Sequence, residues 1–175
     1  MAVAALAVIV FGVMFFYGQA GFAPAGPSDG QAPTADVDGG LDRAAPLVGF
    51  PVIVPKDLPD GWNPNSFTFT AAPGSDQHPP AVRGGWLTGT GRFITLVQSS
   101  GELPAIQAAE LGVVGSATGV EEVDGVTWTV VPGRRDEVAW VRPTGEVTYL
   151  ITGSATSEDF RALAAAADQG TPVAS

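Results

Sequence analysis

Residues 125–170 are the stretch that most constrains the fold, because their hydrophobic pattern changes from the period of a strand to that of a helix. Alternating apolar and polar residues at 126–130, 137–142 and 147–152 predict three short strands. The breaks between these segments have hairpin length and are too short for a crossover connection. The stretch therefore predicts an antiparallel meander, in which Trp128 and its neighbours would supply a large aromatic area.

A helix is predicted directly after the meander. Thr156 can accept a free backbone N–H at the helix start, and the acidic residues that follow it favour the positive end of the helix dipole. Gly170 is the predicted stop. Because so short a helix is marginal alone, we expect its apolar stripe to dock onto the sheet. The stripe comprises Phe160, Leu163, Ala164 and Ala167.

The residues before the meander predict further strands and one short helix. Alternation at 66–71 indicates a strand, 82–88 and 92–98 indicate a hairpin, and Pro104 marks the start of a short helix. The fold class predicted by this order is α+β. We expect an N-terminal transmembrane helix, then an antiparallel sheet of about six to seven strands, with the short helix and the C-terminal helix packed on one face of the sheet.

Composition divides the chain into four parts. Residues 1–22 are uncharged and mostly apolar, and about 20 such residues span a bilayer, so they predict a transmembrane or signal-anchor helix. Residues 23–45 are rich in Gly, Pro and Asp and predict a disordered tether. An extracytoplasmic α+β domain is expected at 46–170, followed by a disordered tail at 171–175.

For residues 1–22, an uncleaved membrane anchor and a cleaved signal peptide both stay open. Small residues at 18–20 fit a cleaved signal peptide, although the apolar run is long for one and no basic residues precede it. The first positive charge is Arg43, so the positive-inside rule gives no orientation. A start upstream of Met1 would explain the missing basic residues.

Charge and cysteine content exclude several classes of function. The chain has a net charge of −10, which argues against nucleic acid as a partner, because nucleic-acid binding needs clustered Lys and Arg. It has no cysteine, so disulfides, thiolate nucleophiles and cysteine metal ligands are all excluded. No residue pattern indicates a metal or another cofactor, and we expect none.

Few residues point to catalysis. Ser75, Asp76 and His78 have the residue types of a hydrolase triad, but triads are assembled from distant segments, so we expect a solvated loop. The acidic residues within 121–124 lack the spacing of a calcium-binding loop and are expected at solvated strand ends. The sequence therefore predicts a protein that is not an enzyme.

Three residues are candidate contacts for a partner. Arg134 and Arg135 follow a Pro-Gly pair at a predicted hairpin tip, where they can hold a phosphate or an acidic partner. The alternative is two solvated charges at a turn. Trp62 follows a Pro-Asp-Gly turn, and its ring is either packed over the sheet edge or exposed for binding.

An apolar ligand held between sheet and helix is a second interpretation. It needs an aromatic face with a cavity of about a few hundred Å³ beside it. Close packing, which is the ordinary state of a protein interior, would exclude it. The residues of the predicted ligand face are Phe67, Phe69, Trp86, Phe93, Trp128 and Trp140.

Several short motifs carry a resemblance to a known family. They are Gly-Phe-Pro-Val at 49–52, Leu-Pro-Asp-Gly-Trp at 58–62, Gly-x-x-Trp at 125–128, Pro-Gly-Arg at 132–134 and Ile-Thr-Gly at 151–153. In this order the chain resembles an actinobacterial family known as domain of unknown function 4245. The resemblance implies a membrane anchor and an extracytoplasmic domain, and it transfers no catalytic residues. The chain departs from it in lacking basic residues before the apolar segment.

These features predict a single-pass protein of the cell membrane whose C-terminal domain lies outside the cytoplasm. The main hypothesis is a non-enzymatic interaction module of the cell envelope, bound to the lipid bilayer through residues 1–22 and to an unknown envelope protein. The alternative is a carrier or sensor of an apolar or lipid ligand.

Overall fold

A computed structural model describes residues 33–135 and 137–173. Nine strands and three helices lie in these residues, and the predicted α+β class is confirmed. The strands are β1 (Ile53–Val54), β2 (Asn63–Thr70), β3 (Ala81–Leu87), β4 (Phe93–Ser99), β5 (Gly119–Val123), β6 (Val126–Pro132), β7 (Val138–Thr144), β8 (Val147–Gly153) and β9 (Thr171–Pro172). The helices are α1 (Val37–Val48), α2 (Leu103–Leu111) and α3 (Ser157–Asp168).

Seven of the strands form one antiparallel sheet, in the order β2-β3-β4-β8-β7-β6-β5. The predicted hairpin is β3–β4, and the predicted meander is β6–β7–β8. The closing helix α3 begins with the expected capping box. The Thr156 hydroxyl accepts a hydrogen bond from the backbone N–H of Asp159, and the Asp159 carboxylate accepts one from the backbone N–H of Thr156.

The sequence pattern predicts no strand at the position of β5. Its acidic residues are expected at solvated strand ends, but Glu121 and Glu122 lie within the strand. Asp124 and Gly125 form the turn to β6, with φ angles of 50° and 80°. An Asp-Gly pair between two apolar residues is a strong hairpin signal, because both turn positions need positive φ. That pair is the local pattern from which β5 could have been recognised.

The predicted disordered tether at 23–45 is wrong where it overlaps helix α1. Residues 37–45 are helical and belong to the domain, while residues 23–32 lie outside the described residues. Asp36 caps the helix by accepting a hydrogen bond from the N–H of Gly39. The buried residues of α1 form one apolar stripe, which outweighs the Gly, Pro and Asp content that suggested disorder. They are Val37, Gly40, Leu41, Ala44, Ala45 and Val48.

The helices cover both faces of the sheet, so the prediction that they share one face is wrong. Helices α1 and α3 pack with Trp86, Trp128 and Trp140 in one hydrophobic cluster. Helix α2 packs on the opposite face through Ile106 and Leu111. The physical reason is that the central strands β4, β8 and β7 carry apolar side chains in both directions, and each face must be shielded from water.

A two-stranded sheet, β1–β9, joins the beginning of the domain to its end. The predicted disordered tail at 171–175 is therefore wrong for residues 171–172, and residues 174–175 lie outside the described residues. Buried Gln98 on β4 holds this arm. Its amide accepts from the N–H of Ile53 at 2.8 Å and donates to the carbonyl of Ile53 at 2.7 Å.

The predicted transmembrane segment, residues 1–22, lies outside the described residues. Within the part of the chain that the structure describes, none of the helices has both the length and the apolar character needed to cross a bilayer.

We predict that Gln98→Leu lowers the free energy of unfolding by about 1–3 kcal/mol, because it leaves the buried N–H and C=O of Ile53 without partners. Urea unfolding of the full chain, followed by tryptophan fluorescence, measures this loss. Gln77→Leu in an exposed loop is the matched control and should leave the midpoint unchanged. Equal midpoints for the two variants would contradict the role of Gln98.

We also predict that Gly40→Leu destabilises the fold by about 1–3 kcal/mol through overpacking. A Cβ built on Gly40 would lie 2.6 Å from ring carbons of Phe67, so α1 and β2 would have to separate. The same urea titration measures the effect. Gly89→Leu is the control, since nothing lies within 4 Å of a Cβ at that position. A Gly40 variant as stable as the Gly89 variant would show that α1 does not need this close approach.

Candidate functional site

The loop that carries Ser75, Asp76 and His78 forms a turn closed on itself. The backbone N–H of Ser75 donates to the carbonyl of His78 at 2.9 Å, and the N–H of His78 donates to the carbonyl and hydroxyl of Ser75. All three side chains are exposed. The geometry is that of a local turn in which the Ser75 hydroxyl accepts from the backbone, which differs from a triad, where the hydroxyl bonds an imidazole.

The acidic residues near β5 have structural contacts as well. The Glu121 carboxylate accepts a hydrogen bond from the Arg161 guanidinium and so ties the edge strand β5 to helix α3. Among the described residues, no group of three or more His, Cys, Asp or Glu side chains is placed to hold a metal ion.

The predicted ligand face is divided by the fold. Trp86, Trp128 and Trp140 are 2 %, 0 % and 3 % exposed and form part of the core under α1 and α3. Phe67 packs against that cluster, and Phe69, beside it on β2, is 44 % exposed. Phe93 lies on the opposite face, beside Gly85 of the neighbouring strand β3, where a Cβ built on that glycine would lie 2.8 Å from the Phe93 ring.

Trp62 is half-buried and packs against the main hydrophobic cluster just before β2. It therefore lies at the β2 edge of the sheet. Arg134 and Arg135 lie between β6 and β7, close to the β5 edge. The structure brings the two arginines together but does not bring Trp62 to them.

The β6–β7 connection is a tight hairpin tip. The N–H of Glu137 donates to the carbonyl of Arg134 at 2.9 Å, and the N–H of Gly133 donates to the carbonyl of Glu137 at 2.8 Å. Arg135 has a φ of 50°, a left-handed conformation that costs a residue with a side chain about 1–2 kcal/mol. Both arginine side chains are exposed. The tip therefore presents two guanidinium groups from a strained backbone.

A cleft of about 620 Å³ lies between this tip and the end of α2. We call it the tip cleft. Both arginines and Glu137 lie along one side, and the last residue of α2 with the two residues after it lies along the other. The residues that line the tip cleft are Leu111, Gly112, Val113, Gly133, Arg134, Arg135 and Glu137.

Arg134 also borders a neighbouring cleft of about 320 Å³, where Phe93 and Thr95 of β4 face Ala109 of α2. Phe93 is 36 % exposed, so its ring forms an open apolar wall there. Phe93 and Arg134 were assigned to two different predicted sites, and the structure places both along this single cleft.

Arg134 is held in place by the C-terminal end of α2. A Cβ built on Gly112 would lie 3.7 Å from Nε of Arg134, so the guanidinium rests against this residue. Gly112 ends α2 in a left-handed conformation, and the last turn of α2 has no basic residue of its own. Because a cation is favoured near the negative end of a helix dipole, Arg134 supplies the charge that α2 lacks.

Helix α2 is fixed to the sheet by an ion pair. Arg83 on β3 donates from Nε to Glu110 Oε2 at 2.9 Å and from Nη2 to Oε1 at 2.6 Å. A third bond runs from Nη1 of Arg83 to the hydroxyl of Thr70. Two parallel bonds give this pair a fixed geometry, so the helix side of both clefts is rigid.

Among the described residues, the groups with shifted pKa values lie away from the two clefts. Burial raises the pKa of the Tyr149 phenol, which is half-buried on β8 and packs against the main hydrophobic cluster. At the start of α1, the hydrogen bond from Arg43 lowers the pKa of Asp36, and burial raises the pKa of Asp38. These shifts follow from helix capping and packing.

The sequence predicts only the arginine side of the tip cleft. The Arg134–Arg135 pair was recognised from its position at a predicted hairpin tip. Leu111 and Val113 were not, because nothing local indicates that the end of α2 meets the tip. The available signal was their apolar character on either side of the predicted helix stop at Gly112, but that signal does not show which surface they face.

Comparison with known proteins identifies a family. No curated protein and no solved structure is significantly similar to the chain. The family model described as Protein of unknown function (DUF4245) matches residues 1–167, which is nearly the whole chain and includes both the apolar segment and the folded domain. The chain therefore belongs to the DUF4245 family of proteins of unknown function.

Proposed function

We propose that this protein is a non-enzymatic interaction module of the cell envelope that contacts a partner protein through the tip cleft. The observation that carries the proposal is the cleft of about 620 Å³ between the Arg134–Arg135 tip and the end of α2. In this proposal residues 1–22 attach the protein to the cell membrane, and the described domain lies outside the cytoplasm.

The composition of the tip cleft supports a role in recognition. Arginine is enriched in protein interfaces, where its planar group forms paired hydrogen bonds with acceptors. Beside the two arginines, Val113 is 39 % exposed and the adjacent Val114 is 57 % exposed, which adds an apolar surface. An apolar patch combined with a few oriented polar groups is typical of a binding site.

The remaining arginines differ from this pair in their surroundings. Arg43, Arg83, Arg142 and Arg161 each form an ion pair with a carboxylate of the domain. Arg92 donates to the carbonyl of Ser154. The guanidinium groups of these five arginines form contacts within the domain, whereas Arg134 and Arg135 face the tip cleft.

Membrane attachment is supported by the sequence of residues 1–22, whose uncharged, apolar character suits a bilayer-spanning helix. The acidic character of the chain, with a net charge of −10, supports a domain held away from anionic lipid headgroups.

The geometry gives less support to a carrier or sensor of an apolar ligand. Three of its six proposed residues are the buried tryptophans of the core, and Phe93 lies on the other face of the sheet. Helices α1 and α3 pack directly on the aromatic face. Since buried aromatic side chains commonly form the core of a small domain, a packing role accounts for them.

We predict that a photo-crosslinking amino acid at Val113, in the full chain expressed in its own host, captures a discrete envelope protein. Val113 lines the tip cleft, and its replacement leaves both arginines in place. The readout is a shifted band after irradiation, identified by mass spectrometry.

Glu146 is the matched control position, because it is exposed in the turn at the other end of β7. The same crosslinker there should capture nothing discrete. No discrete band from Val113, or the same band from both positions, would reject the tip cleft as the contact surface.

A further inference from the structure

We infer that the tip cleft selects an acidic segment of the partner protein, with a carboxylate bound at Arg135 and a neighbouring apolar side chain packed against Leu111 and Val113. This inference rests on the proposed function and adds the chemistry of the partner. Three features of the cleft support it.

The first feature is the difference in surroundings between the two arginines. Arg134 rests against Gly112 at the negative end of α2, where its charge is already partly compensated. Arg135 has no such helix end beside it among the described contacts of the tip. Arg135 is therefore the group that can offer its planar pair of N–H donors to an incoming carboxylate.

The second feature is the conformation of Arg135. A φ of 50° is unusual for a residue with a long side chain, and Gly or Asn would adopt it with less strain. The other two described residues with positive φ that are not glycine, Asp57 and Asp124, are aspartates, which tolerate this region well. Backbone strain of this kind is concentrated at functional sites. Retaining an arginine here is consistent with use of its side chain.

The third feature is the apolar side of the cleft. Leu111 is buried and forms a floor, and Val113 is 39 % exposed beside it. A free inorganic anion would use the guanidinium groups but not this surface. A carboxylate next to an apolar side chain would use both.

The net charge of the chain favours a protein segment over a lipid surface as the partner of the tip cleft. The chain has a net charge of −10, so a flat anionic membrane would repel most of the molecule while attracting only the tip. A single extended segment contacts only the cleft that the two arginines line, and so it avoids most of the acidic surface of the chain. The charge of the whole chain therefore favours a peptide segment over a membrane surface.

We predict that a fluorescent acetyl-Val-Glu-Val-Glu-Val-amide peptide binds the full chain in detergent at least about tenfold more tightly than its Gln-for-Glu analogue, because hydrogen bonds between charged groups are stronger than those to an amide. Fluorescence anisotropy measures both affinities. Raising NaCl from about 0.05 to 0.5 M should remove most of this difference, since salt screens exposed charges.

Arg135→Gly is the decisive variant. It removes the guanidinium and relieves the left-handed strain, so we expect affinity for the acidic peptide to fall about tenfold while the unfolding temperature stays equal or rises by about 2–4 °C. Arg135→Lys keeps the charge but loses the paired donors, and it should restore only part of the affinity. Lys56→Ala removes one positive charge on the arm after β1 and should bind like the unaltered chain.

Several results would overturn the inference. These are equal affinity for the Glu and Gln peptides, full affinity in Arg135→Gly, competition of the peptide by millimolar inorganic phosphate, or Arg135-dependent binding to phosphatidylglycerol vesicles. Failure here can be separated from failure of the proposed function. If Val113 still captures a protein while the acidic peptide does not bind, only the assigned chemistry is wrong.

Discussion

The structure depends on a sheet whose central strands are apolar on both faces. Leu96 and Val97 of β4 are neighbours in sequence, point in opposite directions, and are each about 1 % exposed. β8 and β7 behave in the same way, so neither face can be left to water. This requirement places α1 and α3 on one side and α2 on the other. It also explains why a segment as rich in Gly, Pro and Asp as α1 folds.

The two faces are covered unequally, and the proposed site follows from that difference. Two helices of twelve residues each cover the aromatic face, whereas α2, with nine residues, is the helix packed on the other. Helix α2 ends beside the β6–β7 tip, so the sheet between them is only partly covered and open clefts remain. The Arg83–Glu110 pair fixes the helix side, and the hydrogen-bonded turn fixes the other. The site is therefore a consequence of an incomplete layer held in a rigid geometry.

Charge in this domain has two separate uses. Ion pairs join elements distant in sequence, as Arg142 of β7 does with Asp168 of α3 at 2.7 Å. Exposed pairs of this kind contribute little to stability, about 0–1 kcal/mol, but they orient the elements that they join. At the tip, by contrast, two adjacent arginines face a cleft and one of them has a strained backbone. The end of α2 accounts for Arg134, but stability gives no reason for an arginine at the strained position 135, whereas the proposed recognition of an acceptor group does.

Elements with local signals could be predicted from the amino-acid sequence. The meander, the β3–β4 hairpin and the capped helix α3 follow from residue alternation, short breaks and the Thr156–Asp159 capping box, because neighbouring residues suffice to specify them. The chemistry of Arg134 and Arg135, as a charged pair at a hairpin tip, was also readable from the sequence.

The contacts between distant surfaces, by contrast, depend on the packing of the whole domain. The docking of α1 depends on the Phe67 ring passing close to Gly40, a contact between residues 27 positions apart that no local pattern specifies. The side of the sheet taken by α2 depends on the second apolar face of β4, β7 and β8. The tip cleft exists because the end of α2 lies against Arg134, and burial of distant apolar surfaces, which is non-directional, settles such long-range placements.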